Sequence, residues 1–300
     1  VLGIDVGGTN IRAGLYAPSL GVLRHVHAAP TEASRGGAHA LARVRGVARA
    51  AVEEGRTAGW QVSKVGIGVP ELVGHQGEIE SACSLPWKST RVRASLQEFG
   101  RVTIESDVRA AATAEARLGA GRSCATFLYV CVGTGISCTL FVDGKPLLGH
   151  RGHAISFASG PTVETLQPGG ETLFEALEAR VSGPALARRA RALGLAEADG
   201  IALSRSAAAG EGPARDLVDR AATELALHVA ILGNAMDPAL IVLGGGVGGS
   251  PGRYWQTFQL AMRRFLWGTY ASRIRLRRAQ LGAKVGMIGA ALCAMESPHA

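Results

Sequence analysis

The sequence predicts a two-domain α/β protein. Three observations carry that reading: 300 residues are enough for two cores, apolar runs of strand length alternate with stretches of helical spacing, and glycine-rich turns recur at strand ends in both halves.

Val1, Leu2, Ile4 and Val6 read as a buried strand, which turns through Gly7, Gly8, Thr9 and Asn10 into a second apolar run over residues 11–16. No G-K-[ST] follows, so this is not a Walker loop. The residues after the glycines read as strand rather than helix, so it is not a dinucleotide fingerprint either. What remains is a hairpin whose tip offers backbone N–H groups beside the carboxylate of Asp5, an arrangement suited to phosphates and a metal. Residues 37–54 then have helical spacing, and residues 65–69 form a strand that stops at Pro70, next to Glu71. A short amphipathic helix over 92–99 and a short strand over 102–105 lead to Ser106 and Asp107. There an alanine-rich helix begins with the Asp107 carboxylate at its N-terminus.

A second long apolar strand, residues 125–132, meets Gly133, Thr134 and Gly135, after which residues 136–145 read as strand and turn with an Asp-Gly hairpin signal. The opening logic is repeated, which suggests an internal duplication. A third turn, Gly244, Gly245 and Gly246, follows the helical stretch 221–236 and a further strand, and precedes another helix. Three such turns over two halves suit a nucleotide lying in a cleft between two α/β domains.

Composition narrows the alternatives. With 47% apolar and 19% charged residues the chain is in the globular range, and it contains no apolar run long enough for a membrane span and no signal peptide. Five cysteines without a C-x-x-C pair read as reduced, mostly buried thiols in a cytoplasmic protein. The net charge of +8 comes from arginines scattered along amphipathic segments with no DNA-binding motif, so a solvated basic surface is expected and nucleic-acid binding is not.

The motifs D-V-G-G-T-N (5–10), G-V-P (68–70), L-P-W (85–87), S-D-V-R-A-A-A-T-A-E (106–115), G-T-G-I (133–136), G-G-G-V (244–247) and G-M-I-G-A-A (286–291) resemble those of the ROK sugar kinases, within the actin and hexokinase superfamily. The resemblance covers essentially the whole chain. It implies a two-domain actin-like (ribonuclease H-like) fold with an interdomain cleft, an N-terminal domain of residues 1–107 plus about 286–300, and a C-terminal domain of 108–285. It also implies ATP and Mg²⁺ as cofactors, a sugar-like substrate, and a homodimer. Asp107 matches the general base and Asp5 the acid that reaches Mg²⁺ through water and phosphate. Gly7, Gly8, Thr9, Asn10, Gly133, Thr134 and Gly135 match the phosphate turns, and Gly244, Gly245 and Gly246 the adenosine side.

The departures from the family are equally specific. Its C-x-C-G-x-x-G-C-x-E zinc motif has no counterpart, because no cysteine lies between Cys138 and Cys293, and no structural zinc is expected. If Gly152 opens the segment matching G-E-I-G-H, the sugar-contacting acid and histidine become His153 and Ser156, while Glu178 keeps the later glutamate. Ser106 and Ser84 stand where the family usually has asparagine. The expected substrate contacts are therefore Glu71, Ser84, Ser106, Asp107, His153, Ser156 and Glu178. This set of altered hydroxyl partners favours an amino sugar or C7-cyclitol over glucose. An ordinary glucokinase and a non-catalytic sugar-sensing regulator are the alternatives.

Overall fold

The computed structural model describes residues 1–167, 169–195, 199–207, 212–269 and 273–297. Its contacts divide the chain into two units, residues 1–122, 146–154 and 283–300 forming the first and residues 123–145 and 155–282 the second.

The sheet of the first unit is built from β1 (Leu2–Val6), β2 (Asn10–Ala17), β3 (Val22–Pro30), β4 (Lys64–Val69) and β5 (Arg101–Ser106), with β1 and β4 buried along nearly their whole length. The sheet order is β3-β2-β1-β4-β5. β1 runs antiparallel to β2 and parallel to β4, and β4 runs parallel to β5. α1 (Gly37–Thr57) buries Ala40, Val44, Val47, Ala48 and Ala51, a stripe at three- and four-residue spacing that packs on β2 and β3. α2 (Ser89–Leu96) buries only Val92 and Leu96. The core is aliphatic, with Leu2, Ile4, Ile11, Ile67, Leu85 and Leu96 fully enclosed.

α3 (Asp107–Leu118) and α9 (Val285–Glu296) complete this unit. Every residue from Val108 to Glu115 is buried, which the small alanine side chains of α3 allow. The α3–α9 crossing is so close that a Cβ on Gly289 would lie 1.8 Å from the carbonyl oxygen of Ala110. One on Gly66 would lie 1.8 Å from that of Ala290. This backbone-to-backbone contact is why the first unit extends past the expected boundary at residue 107 to take in α3.

The second unit repeats the plan. β6 (Phe127–Val132), β7 (Ile136–Val142), β8 (Lys145–Pro146), β11 (Leu240–Gly244) and β12 (Arg275–Arg278) lie in the order β12-β11-β6-β7-β8. β6 is antiparallel to β7 and parallel to β11, which is parallel to β12. The two sheets thus share one strand order and sense, as the repeated turns suggest. The Asp-Gly signal is met by Asp143 and Gly144 at φ 51° and 74°. α5 (Gly183–Ala192), α6 (Gly200–Ser206), α7 (Pro213–Met236) and α8 (Arg253–Phe265) supply the helices of this core, and α4 (Leu177–Val181) follows a separate hairpin of β9 (Pro161–Leu166) and β10 (Thr172–Ala176).

That hairpin occupies the stretch where the zinc motif would fall. Arg180 on α4 joins it to α7, bonding Thr165 Oγ1 and Glu175 Oε2 at 3.0 Å each and pairing with Glu224. None of the five cysteines forms a disulfide, but only Cys138 is buried; Cys83 is exposed and the other three are half-buried. The expectation of mostly buried thiols therefore fails, because Cys83 falls in a polar surface loop. Among the described residues no helix is long and apolar enough to cross a membrane.

The α3–α9 contact predicts that Gly289→Ala lowers the unfolding free energy by about 1–3 kcal/mol through overpacking. Gly46→Ala, in an open position of α1, should raise it by up to about 1 kcal/mol. Urea denaturation of the two variants checks both signs.

Candidate active site

Parallel pairing brings the acidic residues of the first unit to one sheet edge. The register aligns Asp5 with Gly68 and Gly68 with Glu105. Asp5, Glu71 and Asp107 consequently emerge at the C-terminal ends of β1, β4 and β5, the end at which open α/β sheets bind ligands.

Asp107 is the first residue of α3, and Ser106 stands at the N-cap position without a side-chain capping bond. Asp107 Oδ1 accepts the Val108 N–H at 2.6 Å. Burial pushes the Asp107 carboxyl up to about 7, and the negative charges of Asp5 and Glu71 push the same way; the Val108 N–H and Arg109 pull against them. A carboxyl near 7 is poised to take a proton at neutral pH. Asp5 is likewise raised by burial, with Arg12 opposing at 3.8 Å. Its carboxylate lies against Gly286 in the first turn of α9: a Cβ there would stand 2.3 Å from Asp5 Cγ.

The turn between β1 and β2 is closed by the Gly7 N–H donating to Asn10 O at 2.9 Å. It is braced by Thr31, fully buried, whose hydroxyl donates to Gly7 O at 2.7 Å and whose N–H donates to Thr9 O at 2.8 Å. Thr9 and Asn10 are exposed at the tip beside the half-buried Gly8. Sequence reasoning missed Thr31, whose only signal is a polar residue at the end of an alternating strand.

Glu71 has a different place from the expected direct substrate contact. Its Oε1 accepts the N–H groups of Ser84 and Leu85 at 2.7 and 2.6 Å, and its Oε2 accepts the Cys83 N–H at 2.9 Å and the Ser81 hydroxyl. The carboxylate is used to fold residues 81–85, which leaves Ser84 exposed on the loop it shapes. Ser106 is buried, with its N–H bonded to Glu105 at 2.7 Å. His153 Nε2 lies 2.9 Å from Glu80 Oε2. Ser156, the residue expected beside His153 in the substrate contacts, is exposed and belongs to the second unit.

In the second unit the turns after β6 and β11 leave adjacent parallel strands, with Cys131 in register with Gly244. The Gly133 N–H donates to Gly135 O, and the Gly183 N–H to Gly133 O, both at 2.9 Å. Thr134 is exposed between them. Gly245 has φ +82°, and a Cβ on it would lie 2.3 Å from Val132 O; one on Gly244 would lie 2.3 Å from the Tyr129 hydroxyl. A Cβ on Gly133 would come within 4.0 Å of the Gly246 nitrogen, so the two glycine turns face each other. Backbone this bare lets a flat or phosphorylated ligand approach the main chain. Glu178 serves this half: its Oε2 accepts the Ile136 N–H at 2.7 Å, fixing the 133–136 turn. Like Glu71, it is committed to a loop's backbone.

Among the described residues no cluster of three or more His, Cys, Asp or Glu side chains could enclose a metal. A Mg²⁺ ion carried by a nucleotide needs only one or two carboxylates and keeps water and phosphate for its other positions. Asp5, raised by burial and crowding Asp107 with like charge, fits that role.

The model of the ROK family matches residues 1–297. The bifunctional enzyme NanE/NanK of Brucella melitensis is 36% identical over 192 residues, covering 63% of this chain; the match spans only 34% of that longer protein. The kanosamine kinase of Amycolatopsis mediterranei is 30% identical over 259 residues, covering 82% of this chain and 80% of that protein. The crystal structure of a ROK family glucokinase from Streptomyces griseus, in complex with glucose and AMPPNP, superposes with a TM-score of 0.85 at 26% identity, covering 99% of both chains.

Two predictions follow from the acids. Asp107→Asn should lower kcat about 10²- to 10⁴-fold, the usual contribution of a positioned base, and wild-type kcat/KM should rise with pH through about 7. The raised pKa means that the folded protein holds this proton more tightly than the unfolded chain. Its contribution to stability is present below the ordinary carboxylate pKa and is lost as pH rises through about 7. The melting temperature of Asp107→Asn relative to wild type should therefore climb from pH 4 to pH 8; a flat difference would contradict the placement of this carboxyl. By its motifs, its fold and this match over nearly its full length, the chain belongs to the ROK family.

Proposed function

We propose that the protein transfers the γ-phosphoryl group of ATP to a primary hydroxyl of a sugar or sugar-like cyclitol, with an amino sugar or C7-cyclitol preferred to glucose. The chain is an ATP-dependent carbohydrate kinase, and the observation that carries this reading is Asp107, a carboxyl held near pKa 7 at the end of β5.

The acceptor chemistry belongs to the first unit. Asp107 takes the proton of the attacking hydroxyl as its oxygen bonds to the γ-phosphorus, and the bond from that phosphorus to the bridging oxygen of the β-phosphate breaks, releasing ADP. Ser84, Ser106 and His153 are the acceptor contacts, with Glu71 holding the loop that presents Ser84. Gly7, Gly8, Thr9 and Asn10 form a phosphate turn on this unit. On the second unit Gly133, Thr134 and Gly135 supply the other phosphate turn, Gly244, Gly245 and Gly246 the adenosine side, and Glu178 the support beneath the first of these. Asp5 would hold a Mg²⁺ ion through water and phosphate, and the ion would supply positive charge beside the transferring phosphates.

The preference against glucose is supported by the short side chains at positions 84 and 106 and by the pairing of His153 with Glu80. A site whose polar groups do not match a sugar's hydroxyls discriminates against it. A relative named for kanosamine points the same way. The glucokinase reading has its own support in the full-length likeness to a glucose complex.

ADP release should be measured with Mg-ATP over hexoses, amino sugars and C7-cyclitols, with Asp107→Asn in parallel. Highest kcat/KM on a non-glucose acceptor, abolished in the variant, is the expected result. Preference for glucose would overturn the substrate reading, and silence on every acceptor with ATP still bound would overturn the kinase.

A further inference from the structure

Arg109, one turn into α3 and two residues beyond Asp107, is 7% exposed. A guanidinium cannot shed its charge by deprotonation, so burial at that depth requires partners for its donors. It finds them in three places. Glu105 Oε1 accepts from Nε at 2.7 Å and lies 2.6 Å from Nη2. Nη2 also donates to Val73 O at 2.7 Å, and Nη1 donates to Gly152 O. One side chain therefore reaches from the base helix to two separate backbone segments.

The segment at residue 152 is the loop that carries His153. Gly152 has φ +87°, and a Cβ on it would come 2.8 Å from Val73 O and 2.9 Å from Gly74 Cα, so the loop is pressed against residues 73–74 with no room for a side chain. At its other end, His75 Nε2 is 3.1 Å from Gly149 O and 3.2 Å from His150 O. Glu80, the partner of His153, is itself fixed by its N–H donating to Leu72 O at 2.9 Å. Residues 149–153 are thus held by Arg109, His75 and Glu80, and the contact of Arg109 refers the loop to the helix bearing Asp107.

We propose that Arg109 is a positioning residue that sets the acceptor-binding loop 149–153 at a fixed place relative to Asp107, and so governs affinity for the sugar-like acceptor. This rests on the proposed kinase reading for the identity of the acceptor side. The fork is essential: a lysine keeps the charge beside Glu105 but cannot donate along two directions to Gly152 and Val73 as well.

The test compares Arg109→Lys, Arg109→Met and Gly152→Ala with the wild type, using glucose and glucosamine as acceptors and Mg-ATP as donor. Acceptor KM should rise about 10- to 100-fold in all three, with kcat within a few-fold and KM for ATP unchanged within about 2-fold. Acceptor affinity is also read by calorimetry in the Asp107→Asn background, which needs no turnover and so separates failure of this inference from failure of the kinase reading. Unaltered acceptor affinity, a fall in kcat alone, an equal rise in both KM values, or full rescue by lysine would each overturn it. Should the Arg109 variants fail to fold, Gly152→Ala still decides, since it loosens the same loop and leaves the guanidinium in place.

Discussion

The parallel pairing of β1, β4 and β5 fixes where the chemistry of the first unit can occur. Because Asp5, Gly68 and Glu105 are in register across three strands, the residues that follow each strand leave the sheet at one level. A shift of one residue in either pairing would exchange the side chains that the strands present to their two faces, so the aliphatic core that holds Leu2, Ile4 and Ile67 also holds the acids in place. The second unit applies the same constraint to its glycine turns through the pairing of β6 with β11. Close packing of α9 against β4 and α3, permitted by Gly66 and Gly289, then secures the helix whose first turn receives Asp5.

Crowding acids at one sheet edge opposes stability. Asp5 and Asp107 are both raised by burial, and each carries like charge into a region with few counter-ions. Arg12 and Arg109 moderate this, the first beside Asp5 and the second through Glu105 on the strand that leads to Asp107. The residual cost raises the affinity of these carboxyls for a proton, as expected where structure is arranged for function rather than for stability, and under the proposed function it favours a metal-bound nucleotide as well. Glu71 and Glu178 show the opposite use of a carboxylate. Glu71 accepts the N–H groups of Cys83, Ser84 and Leu85 and Glu178 that of Ile136, and each fixes a loop.

Much of the plan is legible in the sequence because it is written in local signals: β1 and β2 in alternation, α1 in a three- and four-residue stripe, the hairpin turn in Asp-Gly, and the start of α3 in Ser106 and Asp107. What is not legible depends on contacts distant in sequence. β3 offers no apolar run, since it buries only Leu23 and alternates between half-buried and exposed positions, and the β9–β10 hairpin keeps Leu166 and Phe174 at the surface, against the usual pattern. The domain boundary falls beyond residue 107 because α3 is claimed by α9 from the far end of the chain. Among site residues, Glu71 and Glu178 are visible as acids, yet their commitment to loop N–H groups is a tertiary fact. Arg109 and Thr31 carry no motif of their own and are identified only by the atoms they reach.

The proposed chemistry depends on the Asp107 carboxyl being held near neutrality by its surroundings. Carbon-13 NMR titration of the side-chain carboxyls, with Asp107 assigned by its loss in Asp107→Asn, measures this directly in the ligand-free protein. A midpoint near 7 is predicted; a midpoint near 4, the ordinary value for an aspartate, would show that Asp107 is solvated and not set up as the base.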